Sequence, residues 1–171
     1  MLNASEIRKL IETRQLITGY IDLEKQLQPS GFDLSLSEVQ TFSGVGTVDF
    51  SNMERTIAPT TTLQPDSEGW YTLNRDCYLI MYNEVVKMPL DLVAIGRPRS
   101  TLLRNGVTME TAVWDPGYHG KGLSLLLVHN PSGVRLKRDA RLTQLLFFRI
   151  DQVEEGYRGV YQHERLKTEQ R

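Results

Sequence analysis

Beyond Gly19 the chain breaks into short strand-like runs, at 31–36, 46–50, 60–63, 69–73, 77–86, 90–95, 107–114, 123–129 and 141–150, parted by Gly, Pro, Asn or Asp. Runs this short, recurring about every ten residues, mark an antiparallel sandwich or barrel and not a chain of βαβ units. The fold class read from this pattern is mainly β. Helix enters in two places. Asn3 and Glu6 have capping-box spacing ahead of a stripe formed by Ile7, Leu10, Ile11 and Leu16, which predicts a short N-terminal amphipathic helix. Arg99 to Asn105 follows Pro98 and precedes Gly106, which predicts one helical turn.

With 171 residues, 40% of them hydrophobic, the chain suits one domain with a core of its own. Residues 152–171 turn polar and charged and read as a C-terminal tail or lid. The 20 basic and 21 acidic residues nearly cancel, so no overall field steers the protein to nucleic acid or to a membrane, and any anion must be held by a local cluster. Cys77 is the single cysteine, which excludes an intrachain disulfide or a cysteine-rich zinc site and fits a reducing, cytoplasmic setting. No stretch reaches the roughly 18 apolar residues of a membrane span, and the first residues lack the pattern of a secretion signal.

The stretch with the most chemistry is GVTMETAVWDPGYHGKGLSLLLVHN, residues 106–130. Val107, Met109, Thr111 and Val113 alternate onto one strand face, and Asp115-Pro116-Gly117-Tyr118 fits a type II turn, with proline presetting φ and glycine accepting a positive φ. Continued alternation puts the Asp115 carboxylate toward packed surface, where it needs a partner, a water or a substrate. From this stretch alone a turn-forming aspartate and a catalytic one both stay open. Leu123 to His129 is almost wholly apolar, which predicts a strand covered on both faces, one of them by another subunit.

Arg97, Arg99 and Arg104, with Ser100, Thr101 and the amides of a short helix start, form either an anion site or a solvated basic loop. A polyphosphate seated there would bring Mg²⁺, which prefers phosphate oxygens and water to an all-protein cage. His119, His129 and His163 lack metal-ligand spacing, and no GxSxG, Walker A or Rossmann glycine pattern occurs. Tyr157 and Tyr161 can stack on a base or simply pin the tail.

In chain order, QPSGFDLSL (28–36), GRPRSTLLRNG (96–106), VWDPGYHGKG (113–122), ARLTQLLFF (140–148) and YRGVYQHE (157–164) resemble the five motifs of the trimeric dUTPase and dCTP deaminase superfamily, in particular its archaeal dUTPase-like branch. The resemblance implies a distorted antiparallel β-barrel of the β-clip kind, a homotrimer with sites between subunits, and hydrolysis of dUTP to dUMP and pyrophosphate with Mg²⁺. It implies that Arg99, Ser100, Thr101 and Arg104 hold the triphosphate, with Gln144 helping. The backbone at Thr111 and Ala112 would read the pyrimidine, Tyr118 would exclude a 2′-hydroxyl, and Asp115 would activate the water that attacks the α-phosphorus. Asp33 would lie near the water shell of the metal without ligating it. Tyr157, Arg158, Tyr161 and Gln162 would contribute from the tail.

Similar deaminases carry a catalytic glutamate ten residues beyond the aspartate matching Asp115; here that position is Leu125, and no carboxylate occurs between Asp115 and Asp139. The resemblance therefore favours dUTP hydrolysis over its alternatives, a dCTP deaminase, a bifunctional deaminase/dUTPase, or a non-catalytic nucleotide-binding trimer. The tail departs from many deaminases in having Val160 for a phosphate-contacting lysine, a charge Arg158 would replace, and Glu164 for glutamine.

Overall fold

The computed structural model describes residues 1–166; residues 167–171 of the expected tail lie outside them. In chain order the elements are α1 (Ala4–Arg14), β1 (Ile17–Thr18), α2 (Leu23–Gln26), β2 (Leu27–Gln28), β3 (Gly31–Phe42), β4 (Thr60–Thr62), β5 (Trp70–Leu73), β6 (Cys77–Tyr82), β7 (Val85–Lys87), β8 (Leu92–Pro98), α3 (Ser100–Arg104), β9 (Val107–Thr111), β10 (His119–Gly120), β11 (Leu123–Val128), β12 (Val134–Lys137) and β13 (Arg141–Arg149). The main sheet runs β8-β13-β3-β6-β11-β9, antiparallel at every step, with β2 and β4 also paired to β3. Just past β9, Trp114 exchanges both backbone bonds with Ala94 of β8 (2.9 and 3.1 Å), so the two ends of the sheet meet. The result is a distorted, nearly closed antiparallel barrel, as the family resemblance implies; the strand pattern alone left a sandwich open as well. Register breaks at Leu36/Glu38 and Arg141/Thr143 give β3 and β13 the bends that curvature requires.

The barrel interior is filled from alternate positions of these strands, among them Phe32, Leu34, Ile80, Tyr82, Leu126, Leu145 and Phe147. Tyr82 is fully buried, and its hydroxyl meets Ser124 Oγ and Thr143 Oγ1 at 2.7 Å each, which satisfies three polar groups across β6, β11 and β13. Helix α1 forms as predicted. Asn3 and Glu6 make both bonds of the capping box, Ile7, Leu10 and Ile11 face the core, and Gln15 ends the helix in the left-handed conformation.

Several strand boundaries differ from expectation for physical reasons. The run 46–50 forms no strand. A Thr47–Thr56 bridge and local hydrogen bonds such as Met53 N to Asp49 Oδ2 hold this loop, and Val45, Val48, Phe50 and Met53 project outward with no surface of the described residues to pack on. The run 77–86 splits into β6 and β7 because Asn83 and Glu84 reach β3 with their polar groups: Asn83 N donates to Ser35 O, and Glu84 is fully buried. Strand β11 is covered on one face within the chain, where Ser124, Leu126 and Val128 are buried, while Leu123, Leu125 and Leu127 stay half-buried on the face expected to meet another subunit.

The Glu84 carboxylate accepts from Gln26 Nε2 and Ser35 Oγ (both 2.6 Å) and from Ser35 N (2.9 Å), tying α2 to β3 and β7, and burial pushes its pKa up. Replacing it strands three donors at once. Glu84→Ala is expected to lower the urea midpoint by the equivalent of about 2–4 kcal/mol at unchanged slope. A loss within about 0.5 kcal/mol, the scale of an ordinary surface change, would contradict this role.

Candidate functional site

The anion-binding half is built where β8 ends. Pro98 closes the strand, Arg99 is the extended N-cap of α3 (φ −65°, ψ 147°), buried Leu102 anchors the turn, and Gly106 stops it at φ +70°. Arg99 Nε lies 2.9 Å from Asp33 Oδ2, and Arg141 Nη1 lies 3.3 Å from the same oxygen. Asp33, on the central strand β3, is 1% exposed. Burial raises its pKa, with the Arg99 and Arg141 guanidiniums pulling against the rise. The Asp33 carboxylate thus faces two guanidiniums, and the described residues contain no group of three or more His, Cys, Asp or Glu that would cage a metal. Because Arg99 meets Asp33 through Nε, its two Nη groups remain directed elsewhere, one of them at Arg141 O (3.5 Å). Gln144 stands opposite both Asp33 and Arg97 in the β13 register, so all three share a sheet face. Arg104 folds back on Ser100 O (3.2 Å) and is exposed. Arg99 and Thr101 open onto a cleft of about 550 Å³ that also receives Trp70, Arg135, Lys137 and Arg141.

The carboxylate half is the turn after β9. Tyr118 N donates to Asp115 O (3.1 Å) and Gly117 has φ +81°, as a type II turn demands. Gly117 N donates to Met88 O (3.1 Å) and Met88 N to Tyr118 O (2.8 Å), which fixes the turn against β7. The expectation that Asp115 points into packed surface does not hold. Strand pairing ends at Thr111, the alternation shifts phase over Ala112 and Val113, and it is Trp114 that turns inward (4% exposed). Asp115 is therefore exposed, at the rim of a cavity of about 280 Å³ lined by Ala112, Trp114, Tyr118, Tyr157 and Tyr161 among others. Ala112 and Val113, out of the ladder, have no backbone hydrogen-bond partner among the described residues.

The tail is ordered by what it covers. Tyr157 N donates to Pro116 O (2.7 Å), Gln162 Nε2 to Gly117 O (2.9 Å), His119 N to Gln162 Oε1 (2.9 Å), and His163 N to His119 O (2.7 Å). The Tyr157 ring meets Tyr118 edge-on, with centroids 5.8 Å apart. Tyr157 and Tyr161 thus reach the cavity, Gln162 instead clamps the turn backbone, and Arg158 stays at the surface beside Glu155 (3.1 Å). Sequence reasoning missed two contacts. Arg141 was legible only as part of the ARLTQ motif, and Glu164, whose Oε1 accepts from Tyr118 Oη (2.9 Å), drew notice only as a departure from relatives. Burial pushes the Tyr118 hydroxyl up, helped by the Glu164 charge, and burial also raises Glu164.

The two cavities have no lining residue in common. One thus offers guanidinium N–H groups, and the other an exposed carboxylate beside unpaired backbone.

The chain belongs to the dCTP deaminase-like family, whose model matches residues 1–150. Among curated proteins it is 48% identical to a probable deoxyuridine 5′-triphosphate nucleotidohydrolase of Methanosarcina barkeri, over 98% of this chain and 99% of that one. It is 43% identical to a protein of the same description from Archaeoglobus fulgidus, over 98% and 99%. It is also 32% identical to the deoxyuridine 5′-triphosphate nucleotidohydrolase of Methanocaldococcus jannaschii, over 81% and 88%. In fold it is similar to the crystal structure of the 2′-deoxycytidine 5′-triphosphate deaminase of Agrobacterium tumefaciens (TM-score 0.63, 23% identity), covering 88% of this chain and 48% of that one.

Gly117 couples turn and tail, because a Cβ there would sit 2.8 Å from Gly156 Cα in addition to the strain of its positive φ. Gly117→Ala is expected to free the tail and speed its removal by limited proteolysis several-fold, about the effect of a 1–2 kcal/mol local loss. A cleavage rate equal to wild type would show that the tail does not depend on this contact.

Proposed function

We propose that this protein hydrolyses dUTP to dUMP and pyrophosphate at sites shared between the subunits of a homotrimer. The observation that supports the proposal is the separation just described: the arginine cleft and the Asp115 cavity are lined by different residues, which suits a site that takes its arginines from one chain and its aspartate from another. Full-length relatives described as deoxyuridine triphosphate nucleotidohydrolases support the choice of substrate. In this reading Arg99, Ser100, Thr101, Arg104 and Gln144 hold the triphosphate. Arg99 can do so while paired to Asp33, since its Nη donors remain available. The unpaired backbone groups of Ala112, next to Thr111, suit the hydrogen-bonding edge of a pyrimidine. Tyr118 walls the sugar side of the cavity, and Tyr157 and Tyr161 cover it.

Asp115 is the general base. Exposed at the cavity rim, it accepts the proton of a water that attacks the α-phosphorus, and the arginines of the neighbouring chain stabilise the charge that passes to the leaving pyrophosphate. The donor set fits Mg²⁺ carried on phosphate oxygens and water rather than on carboxylates, and bound there it would neutralise polyphosphate charge. Deamination is the weaker reading: Leu125 pairs with Leu79 and Glu110, and Glu110 does not line the cavity that holds Asp115.

Incubation with Mg²⁺ and either dUTP or dCTP tests this. Expected products are dUMP and pyrophosphate from dUTP, with dCTP unchanged. Formation of dUTP or dUMP from dCTP would overturn the choice, and no turnover of either would point to a binding protein. Asp115→Asn is expected to keep dUTP affinity while turnover falls by about 10²–10⁴, the range of a lost general base. By calorimetry, Arg99→Ala should weaken dUTP binding and leave deoxyuridine binding nearly unchanged; equal losses for both would refute its phosphate role.

A further inference from the structure

We propose that Glu164 is a positioning residue for sugar selection: its carboxylate fixes the Tyr118 phenol as the wall against which a 2′-hydroxyl collides. The proposal rests on the reading that the cavity beside Asp115 receives a deoxyribonucleotide. The cavity is small, about 280 Å³, and Tyr118 and Glu164 line it side by side. Tyr118 is 7% exposed, and the one hydrogen bond of its hydroxyl among the described residues runs to Glu164 Oε1 at 2.9 Å. A phenol donating to a carboxylate makes a charge-assisted bond, stronger than the same bond to a neutral acceptor.

Glu164 is itself held. Its carbonyl accepts from Lys121 N (3.1 Å), and its amide donates to Tyr161 O (3.2 Å). The hydroxyl end is confined from below as well, since a Cβ at Gly120 would lie 2.8 Å from Tyr118 Oη and 3.2 Å from Glu164 Cγ. Strand β10 passes under this bond with no side chain in the way, so phenol and carboxylate close on each other over a glycine. The ring is also braced edge-on by Tyr157, which leaves the hydroxyl as the point where its tilt is set. A wall that discriminates one oxygen atom must be rigid: a ring able to tilt by a fraction of an ångström per atom accommodates the extra hydroxyl. Tail docking by itself does not require this carboxylate, because the backbone contacts of residues 157, 163 and 164 already secure it.

The test compares wild type, Glu164→Gln, Glu164→Ala and Gly120→Ala in kcat/KM for dUTP and UTP, and in calorimetric affinity for dUMP and UMP. Glu164→Ala and Gly120→Ala are expected to lower the deoxy-to-ribo ratio by about tenfold or more, the scale on which a pocket wall discriminates a single small group. Glu164→Gln, whose amide oxygen still accepts the phenol proton but in a weaker, neutral bond, should fall between wild type and Glu164→Ala. If Glu164 only docks the tail, Glu164→Ala weakens both sugars alike and the ratio is unchanged, which overturns the proposal; so does a glutamine variant as defective as alanine. The monophosphate affinities separate this outcome from failure of the proposed reaction. A wild type that turns over no dUTP, yet loses its dUMP preference on Glu164→Ala, would count against the hydrolysis and for the latch.

Discussion

A carboxylate almost fully removed from water sits on the middle strand of the sheet, and two arginines from other elements keep it there. Asp33 on β3 holds Arg99 at the start of α3 and Arg141 at the start of β13. Removing ionised groups from water is costly, and either arginine left without the aspartate, or the aspartate without both, would be an uncompensated charge in a partly buried place. The ion pair therefore dictates where the end of β8 and the beginning of β13 must meet β3. It also sets the orientation of Arg99, whose Nε meets Asp33 while Nη1 turns to Arg141 O. A guanidinium held this way loses little freedom when it takes up an anion, which is the physical sense of a preorganised site.

On the far side of the sheet closure the constraint is conformational. Proline and glycine bend the chain after Trp114, and the tail returns over that bend by backbone contacts to Pro116, Gly117 and His119. The bend carries Asp115 outward and Tyr118 inward, so a single turn separates a solvent-facing carboxylate from a packed ring. The outward face of β11 and the apolar side chains of the 45–53 loop are similarly left without full cover in one chain. Incompletely covered apolar surface of this kind suits the proposed assembly, in which other copies would complete the cover.

The parts legible in the sequence were those whose causes are local. Asn3 and Glu6 cap a helix three residues apart, Pro116 and Gly117 make a turn by their own dihedral preferences, and Gly106 ends α3 because it alone tolerates the required φ. Strand existence was legible from alternation, and most strands appear within a few residues of expectation. What depended on distant partners was not. Alternation through Thr111 and Val113 pointed Asp115 inward, but the strand leaves its ladder there, and the large indole of Trp114 takes the buried side. The pairing of Asp33 with Arg99 and Arg141 was not legible, because nothing in its own stretch of sequence announces partners so far along the chain. The short strand β12 alternates correctly, with Leu136 in and Arg135 and Lys137 out, but four residues are too few to stand out from a turn. The contact between Tyr118 and Glu164 joins a turn to a tail that looks like surface until the chain is folded.

Sharing of the site between chains is best tested by mixing. Asp115→Asn and Arg99→Ala chains, each expected to be strongly impaired toward dUTP alone, are dissociated together in mild denaturant and reassembled. A site taking its base from one chain and its arginine from the next should then recover activity at about one quarter of the sites, the share that random closure of a ring gives to the intact combination. A mixture no more active than the two parents would contradict it, because it would mean that Asp115 and Arg99 serve the same site from the same chain.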